Sequence, residues 1–478
     1  MPQEHSPIEA PAPPETVPPA RGAGNPHLRL LLVAAFLHGL AFVLLLPPWM
    51  GEDEPWHVEY AHHIADGHLP VDGQAMTLEG LEEVSHSQMQ MRRELGGLET
   101  AELAATQHDI LESMRANHFW ARVDWASWGG GAETFDQVAP DLTAAHQPPL
   151  YYLLSGQVLR LLGSGDVERE MWIERGLSLL AYLAVVLAAY ALASRVSDDP
   201  WIAITAAALV AWWPMHARQA AVANNDVLVK VFTAWALVMG AELARSGITT
   251  KRIAWIVVLC VAGFATKTTA AGVVAPIGLA LLWRGGQRAG TMGWKVRAGL
   301  ILGLASLAGL TLVMWFNSSN PAVPHSVANL KGRIQTALAP EFWSEFSRTT
   351  VGAFNWYSRD LASGVHVAVR FGLLLGLAGA ALALVVKRSG IDRRVLFFCA
   401  LAAITQIALV GLRGVAAGRY MMPMITAFGV LLAVGWMAVL PEGWRRRVGA
   451  LLITALLIFD GIFITTGLIW NQYGVWGS

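Results

Sequence analysis

Charged residues are scarce in this chain. Asp, Glu, Lys and Arg make up 14% of its 478 residues, and 54% of the residues are hydrophobic. The mean hydropathy is +0.44. A soluble domain ordinarily carries about 25% charged residues, so the composition excludes an ordinary soluble protein. The formal net charge of −1 leaves no basic excess of the kind expected of a nucleic-acid-binding protein.

Cysteine is almost absent. The two cysteines, Cys260 and Cys399, lie inside apolar runs, which argues against a disulfide framework and against a cysteine nucleophile. The chain has no His-Glu-x-x-His pattern and no visible repeat of fixed period. The histidines His57, His62 and His63, with carboxylates nearby, leave a divalent metal open as an alternative. We expect these histidines to pack within their loop and the protein to need no cofactor.

Long apolar runs are what the chain has in abundance. A span takes about 20 apolar residues, and by this measure there are about eleven candidates. They are 28–48, 173–195, 200–220, 226–245, 253–266, 269–284, 297–317, 366–387, 395–413, 420–440 and 448–470. The run 148–163 is the twelfth candidate. The basic clusters between spans all become cytoplasmic if 148–163 does not cross. We therefore predict a re-entrant or interfacial helix there, with an ordinary twelfth span as the alternative.

This pattern predicts an all-α integral membrane protein, a polytopic helical bundle. Residues 1–27 are rich in proline and are predicted to form a disordered cytoplasmic tail. Residues 28–478 form the membrane domain, with long external loops at 49–147 and 318–365 and an external C-terminus. Within the first loop, apolar residues at helical spacing over 77–116 indicate amphipathic interfacial helices. The short runs on either side of Lys267 indicate broken helices around a cavity.

Polar and charged side chains collect at the predicted external ends of the spans. They are Asp53, Glu54, His146, Arg218, Asn225, Asp226, Lys267, Arg413, Arg419 and Tyr420. Charges beside hydrocarbon are costly, so a functional role is the default interpretation. The alternative is that each is a boundary residue whose long side chain reaches the interface. Arginines can clamp a phosphate with paired donors, and Asp53 can accept a proton from a hydroxyl. Together these groups suit displacement of a lipid phosphate from a sugar.

Several motifs then carry a resemblance. Asp53-Glu54-Pro55, Gln147-Pro148-Pro149-Leu150-Tyr151-Tyr152, Arg175-Gly176, Asn225-Asp226 and Gly418-Arg419-Tyr420 occur in this order. In this order and spacing they resemble the GT-C superfamily of polyprenyl-phosphate-sugar glycosyltransferases. That group includes the protein O-mannosyltransferases and the lipid A aminoarabinose transferases. The motif sequences are most similar to a functionally undefined branch of predicted GT-C membrane proteins. The resemblance covers residues of about 28 to 440.

The resemblance implies roles for individual residues. Asp53 matches the catalytic carboxylate of the first external loop, with Glu54 as its neighbour. His146, Arg419 and Tyr420 match positions near the donor phosphate, although Gln147 separates His146 from the prolines.

Chemistry adds further candidates to this set. Lys267 and Arg413 join the predicted phosphate site. His57, Tyr151, Arg218, Asn225 and Asp226 are assigned to substrate binding. Three alternatives remain open: Asp226 as a helix N-cap, Lys267 as a turn residue and Tyr151 as an interface anchor.

The resemblance implies an inverting glycosyltransferase of the plasma (inner) membrane with its active site outside. It would move a sugar from a polyprenyl-phosphate donor to an external glycan, lipid or protein acceptor. Since no soluble domain follows the last predicted span, we expect the loops to recognise the acceptor. The runner-up is a secondary transporter for an anionic or lipid-linked substrate, which would place its binding residues nearer the bilayer midplane. A third option is a membrane scaffold without activity.

Overall fold

The structure is a computed structural model and has the predicted architecture, an all-α membrane bundle. It describes residues 25–67, 106, 109–110, 112–119, 144, 147–163, 165–285, 293, 303, 327–354, 359–360, 363–386, 390–414 and 416–463. The predicted tail 1–27 lies almost wholly outside the described residues. So do most of the predicted interfacial helices of 77–116 and most of the candidate span 297–317.

The first half of the bundle follows the sequence pattern closely. Its helices are α1 (Pro26–Leu45), α2 (Glu54–Ala65), α3 (Leu150–Leu162), α4 (Val167–Val196), α5 (Pro200–Ala211), α6 (Pro214–Gln219), α7 (Asn225–Ser246), α8 (Thr250–Thr266) and α9 (Val274–Gly285). A 3₁₀ helix, Thr268–Val273, separates α8 from α9. Many of these helices begin with a capping Asn, Asp or Thr whose side chain accepts from a first-turn N–H.

The second half contains the remaining helices and one short strand pair. The helices are α10 (Val327–Leu338), α11 (Pro340–Val351), α12 (Ser363–Val385), α13 (Arg393–Arg413), α14 (Ile425–Met437) and α15 (Glu442–Phe463). A second 3₁₀ helix, Gly418–Met424, precedes α14. Strand β1 (Ala353–Phe354) pairs antiparallel with β2 (Arg359–Asp360), with Ala353 opposite Asp360.

Six helical segments among the described residues are long and apolar enough to cross a membrane. They are α1, α4, α7, α12, α13 and the segment Gly418–Met437. The segment Gly418–Met437 is 89% buried and α12 only 17% buried, so α14 lies at the centre of the bundle and α12 at its lipid-facing edge. Helices α4, α5, α12 and α13 all pack on α14. The predicted total of about eleven spans stays a prediction.

Helix α3 covers the run whose crossing was in question. It has 13 residues and is therefore about 20 Å long, short of the hydrocarbon thickness of about 30 Å. One face packs on α2, while Leu154 and Leu161 on another face are exposed. A short helix with one buried and one exposed face suits a place within the membrane interface, and that it does not cross stays a prediction.

Two chain breaks carry residues of the predicted site, one of them where the sequence predicted it. Lys267 is in extended conformation, with φ −162° and ψ 142°, between α8 and the 3₁₀ helix that follows. The other break precedes α14, where Pro423 lies inside the second 3₁₀ helix. Proline has no N–H to donate to a preceding turn, so a regular α-helix cannot run through this point. Both breaks lie at the end of the bundle where α1 ends.

Candidate active site

The turn between α1 and α2 carries three carboxylates in a row, and the last of them is locked in place. Glu54 is fully buried. Its two oxygens accept from Nε and Nη2 of Arg175, on α4, at 2.8 and 2.7 Å. Two backbone N–H groups also donate to it. A bidentate Arg–carboxylate pair with its remaining lone pairs satisfied holds a buried geometry firmly. Glu54 thus anchors the turn to α4.

The first carboxylate of the three is held in the same way. Glu52 forms an ion pair with Arg218, on α6, and both side chains are buried. Arg175 adds a third restraint, because its Nη1 and Nη2 donate to the carbonyls of Leu46 and Pro47 at 2.7 and 2.9 Å. Two buried arginines therefore fix the turn from both sides.

Asp53, between them, has a different environment. Its backbone is left-handed, with φ 62° and ψ 5°, which is uncommon for a residue other than glycine. Its side chain is 33% exposed, and its Oδ2 lies 2.7 Å from Nη1 of Arg419. Such backbone conformations are stable only where many surrounding contacts hold them in place, and they cluster at functional sites. Asp53 is the one carboxylate of the three that turns toward Arg419.

The 3₁₀ helix before α14 delivers Arg419 to this position. The N–H of Gly418 donates to Oγ1 of Thr349, at the end of α11, at 2.8 Å. A Cβ at Gly418 would lie 2.1 Å from the backbone nitrogen of Thr350. No other residue type fits here unless one of the two segments moves. The contact with α11 therefore fixes the start of the 3₁₀ helix and the origin of the Arg419 side chain.

Tyr420 brings a second arginine to the same place. Nη2 of Arg419 donates to its hydroxyl at 3.3 Å, and Cζ of Arg413 lies 3.4 Å from the centre of its ring. Arg413 comes from the last turn of α13. A guanidinium over an aromatic face is held by the ring quadrupole. The arrangement places two planar, always-charged guanidinium groups around one phenol. Guanidinium groups match the geometry of phosphate oxygens.

A third cation, Lys267, comes from the first chain break. Its Nζ lies 2.7 Å from Oδ1 of Asp226 and donates to Oδ1 of Asn225 at 2.9 Å. Asn225 in turn donates to Oε1 of Gln147 at 3.3 Å. Lys267 lies between two helices, as the turn-residue alternative supposed, and its side chain is buried and ion-paired. It links the start of α7 to the end of α8.

Asp226 is not the N-cap that one interpretation of the sequence made it. The cap of α7 is Asn224, whose side-chain oxygen accepts from the backbone N–H of Asp226 at 3.0 Å. Oδ2 of Asp226 is buried and has no hydrogen-bond partner among the described residues. A buried carboxylate oxygen without a partner calls for an explanation, such as water, an ion or a ligand. Asp226 is thus available to a bound group beside Lys267.

A layer of aromatic residues lies beside this cluster. Nδ1 of His57, on α2, is 2.7 Å from the hydroxyl of Tyr152, and the two rings stack. Burial, together with the charge of Lys267, lowers the pKa of His57 to about 3, so this imidazole is neutral. Tyr151 donates to a buried carboxylate, Glu174, at 2.7 Å. Because both tyrosines are buried, they do not act as anchors at the membrane surface.

The charges of the cluster act on Asp53. Burial raises the pKa of its carboxyl, but the positive charge of Arg419, with a smaller contribution from Lys267, outweighs burial. The resulting pKa is below the ordinary value of 3.8. Asp53 is therefore ionised at neutral pH, which is the state a general base requires.

Most of the predicted site residues come together at one end of the bundle. The residues in or beside the cluster are Asp53, His57, Asn225, Asp226, Lys267, Arg413, Arg419 and Tyr420. Glu54, Arg218 and Tyr151 instead contact Arg175, Glu52 and Glu174. His146 lies outside the described residues.

Sequence reasoning assigned no role to three buried charged residues. Glu52 and Arg175 fix the turn, and Lys230, one helical turn beyond Asp226, donates to Oε1 of Gln219 at 2.8 Å. The signal was present for Lys230, which is a lysine inside the apolar run 226–245. It was present for Arg175 too, which lies within the first turns of the long apolar helix α4.

The histidines of α2 do not converge on a metal position. His57 contacts Tyr152, whereas Nδ1 of His62 is 2.7 Å from Oε2 of Glu170. Within the described residues no three His, Cys, Asp or Glu side chains form a group that could hold a metal ion. The expectation that the protein needs no cofactor stays a prediction.

Comparison with known proteins identifies the family. The model of a family described as "Predicted membrane protein (DUF2142)" matches residues 36–428. The chain belongs to the DUF2142 family. The match covers every residue of the cluster, from Asp53 to Tyr420. No curated protein matches this DUF2142 chain.

Two solved membrane enzymes are similar to the DUF2142 chain in structure. One is the oligosaccharyltransferase of Archaeoglobus fulgidus, tethered with an acceptor peptide, with 14% identity and a TM-score of 0.45 over 94% of this chain and 54% of that one. The chain thus spans about half the length of that enzyme. The other is ArnT of Cupriavidus metallidurans bound to undecaprenyl phosphate, with 14% identity and a TM-score of 0.42 over 93% and 74%.

Both enzymes are GT-C glycosyltransferases, the superfamily that the motifs of the DUF2142 chain resemble. A likeness at this level of identity does not carry their activities over to this chain.

Proposed function

We propose that this protein is an integral-membrane glycosyltransferase that takes a sugar from a polyprenyl-phosphate donor. The observation that carries the proposal is the 2.7 Å contact between Asp53 and Arg419. It joins a carboxylate near the first membrane helix to a guanidinium some 366 positions later in the chain, beside two further cations. A transferase of this type needs a base and a phosphate clamp at bonding distance from one sugar carbon.

The clamp consists of Arg413, Arg419 and Lys267, with the Tyr420 hydroxyl as a further donor. When the bond between the sugar and the phosphate breaks, negative charge develops on the departing phosphate. Preorganised cations at that position stabilise the transition state more than the ground state, which is the condition for raising the rate. The two guanidinium groups add the paired donor geometry that phosphate oxygens favour.

The base is Asp53. The acceptor hydroxyl attacks the anomeric carbon, its proton passes to the Asp53 carboxylate, and the electron pair of the sugar–phosphate bond leaves with the polyprenyl phosphate. Attack opposite the leaving group inverts the anomeric centre. Asp53 and Arg419 are paired before the donor enters, so the donor phosphate competes for Arg419. That competition weakens the hold on Asp53 and raises its basicity when substrate is bound.

A complementation experiment tests the assignment of the base. Cells that lack the protein should accumulate a polyprenyl-phosphate sugar, and the wild-type chain should clear it. Asp53→Asn should reach wild-type abundance in the membrane yet lower transfer by about 10²–10⁴, the usual contribution of a general base. Asp66→Asn is the matched control, because Asp66 lies at the end of α2 with its side chain 58% exposed. Normal clearance by Asp53→Asn would exclude Asp53 as the base.

Reconstitution separates this proposal from transport. Purified protein in liposomes that hold the accumulated lipid-linked sugar, supplied with a cell-envelope extract that contains the acceptor, should release polyprenyl phosphate and glycosylated acceptor. A secondary transporter would move the lipid-linked sugar between leaflets and leave it intact. Undecaprenyl phosphate, the ligand of the Cupriavidus enzyme, is a suitable probe of the clamp. Its affinity should fall in Arg419→Ala and stay unchanged in Asp66→Asn.

A further inference from the structure

A cavity of about 680 Å³ lies at the opposite end of the bundle from Asp53. Its walls come from the ends of α4, α7 and α12 and from the start of α13. Four arginines line it: Arg195, Arg245, Arg393 and Arg394. Twenty residues of α4 separate Arg175, beside the candidate active site, from Arg195. At a rise of about 1.5 Å per residue this is about 30 Å, the thickness of the hydrocarbon core. The cavity is therefore a separate site, one membrane thickness away.

The arginines of the cavity fall into two pairs with different surroundings. Nε of Arg195 is 3.0 Å from Oε2 of Glu242, and Nη2 of Arg245 is 3.4 Å from Oδ1 of Asp198. These two are held by carboxylates of the bundle and shape the wall.

Arg393 and Arg394 open α13 and are exposed. Nη1 of Arg393 lies 3.5 and 3.4 Å from two backbone carbonyls at the end of α12. No ion pair joins either arginine to a carboxylate in the part of the chain that the structure describes. The nearby Asp392 uses Oδ1 to cap α13. The cavity thus presents two guanidinium groups whose charge is not matched by a carboxylate.

Apolar side chains form the rest of the cavity wall and continue into the membrane. Leu384 and Phe397 line the cavity, and Phe397 is 42% exposed. Val385, the last residue of α12, is 78% exposed, and the exposed face of α12 extends from it along the bundle. Such an apolar wall adds nothing to the binding of a soluble anion. An amphiphile binds the arginines with its headgroup and the apolar face with its chains.

We propose that this cavity binds the phosphate headgroup of an anionic membrane lipid. The phosphate lies between Arg393 and Arg394, and the acyl chains run along Phe397 and α12. The basic residues of the chain predict that this end faces the cytoplasm, where anionic lipids attract basic pockets between membrane helices. The proposal does not depend on the activity assigned to the other end of the bundle.

Native mass spectrometry of the full chain in neutral detergent tests this, with dioleoyl phosphatidylglycerol and phosphatidylcholine as probes. The wild type should retain one phosphatidylglycerol at least about tenfold more tightly than phosphatidylcholine. The double variant Arg393→Gln/Arg394→Gln should lose that preference. The matched control is Arg446→Gln/Arg447→Gln, two exposed arginines that lie near the start of α15 and do not line the cavity. It should retain the lipid.

Three results would overturn the proposal. One is equal retention of the two lipids by the wild type. Another is an equal loss in both double variants, which would mean a diffuse effect of surface charge. The last is full displacement of the lipid by millimolar inorganic phosphate, which would make the ligand a soluble anion. Arg393→Lys/Arg394→Lys keeps both charges and should restore at least half of the retention, which separates loss of charge from misfolding.

Discussion

At the scale of single residues, three consecutive carboxylates have three different partners. Glu52 and Glu54 are buried against arginines, whereas Asp53 is partly exposed and faces Arg419. The difference follows from their positions in the turn, because the left-handed backbone at Asp53 turns its side chain away from the direction of its neighbours. Structural and chemical roles are therefore divided between adjacent residues of the same type.

This division predicts that Glu54→Gln lowers the stability of the protein much more than Asp53→Asn does. Glu54→Gln leaves Arg175 as a buried cation without its counter-ion, a change that costs about 3–5 kcal/mol of stability. Asp53→Asn removes only a partly exposed ion pair, whose contribution to stability is about 1 kcal/mol or less. Thermal unfolding of both variants in detergent should show a lowered midpoint for Glu54→Gln alone. Equal midpoints would contradict the anchoring role of Glu54.

The charge of Arg419 makes a prediction about pH. In the wild type Arg419 holds the pKa of Asp53 below 3.8, so the base stays ionised as the pH falls from 8 to 5. Arg419→Ala removes the largest opposing charge, and burial then raises the pKa of Asp53. The acidic limb of the pH–rate profile should therefore move to higher pH.

Arg446→Ala is the control for this shift, and its acidic limb should coincide with that of the wild type. His57 should add no inflection between pH 5 and 8, because its pKa is about 3. An acidic limb that stays in place in Arg419→Ala would contradict the pairing.

At the scale of elements, interruptions of the helices carry several of the charged residues of the cluster. Asp53 follows the end of α1, Lys267 lies between α8 and a 3₁₀ helix, and Arg419 lies in the 3₁₀ helix before α14. In a membrane, backbone that is not α-helical is tolerated where it is buried in protein or lines a cavity. The chain breaks therefore concentrate the polar groups at one depth of the bundle.

The contact between α11 and Gly418 predicts a remote effect on the phosphate clamp. Gly418→Ala places a methyl group 2.1 Å from the backbone nitrogen of Thr350 and forces the 3₁₀ helix away from α11. Affinity for undecaprenyl phosphate should fall by about tenfold or more. The scale comes from catalysis, where a misplacement of about 1 Å lowers the reaction rate by up to about 100-fold. Gly443→Ala is the control, because nothing lies within 4 Å of a Cβ there. Unchanged affinity in Gly418→Ala would mean that α11 does not position Arg419.

At the scale of the whole molecule, the helix directions place the two polar regions at opposite ends of the bundle. Helix α4 begins beside Glu54 and ends beside the arginine-lined cavity. Because one continuous helix of 30 residues joins them, their separation follows from helix geometry alone. The excess of arginine at one end then predicts which side is cytoplasmic.

Cysteine labelling tests this orientation. Both natural cysteines are buried, so introduced cysteines give the signal. Asp66→Cys, at the end of α2, should react with an impermeant maleimide in intact cells. Arg394→Cys, at the start of α13, should react only after the membrane is permeabilised. Labelling of both positions, or of Arg394→Cys alone, in intact cells would overturn the predicted topology.

Much of the site was predictable because charge in an apolar sequence is conspicuous. Asp53, Lys267, Arg413 and Arg419 stand out at the ends of apolar runs, and motif order links Asp53 with Arg419. What failed was the distinction between neighbours. Sequence spacing treats Glu54 like Asp53, although burial and backbone conformation separate them.

A multi-pass helical membrane protein with polar residues at the ends of its helices is predictable from the amino-acid sequence. Hydrophobic runs and their charged boundaries are local properties, readable along the chain. Which polar groups meet depends on how the helices pack. The partner of a buried charge is selected by packing between helices distant in sequence, as between Asp53 and Arg419 or between Glu54 and Arg175. For the fully buried pair of Glu54 and Arg175, desolvation makes the loss of either partner costly.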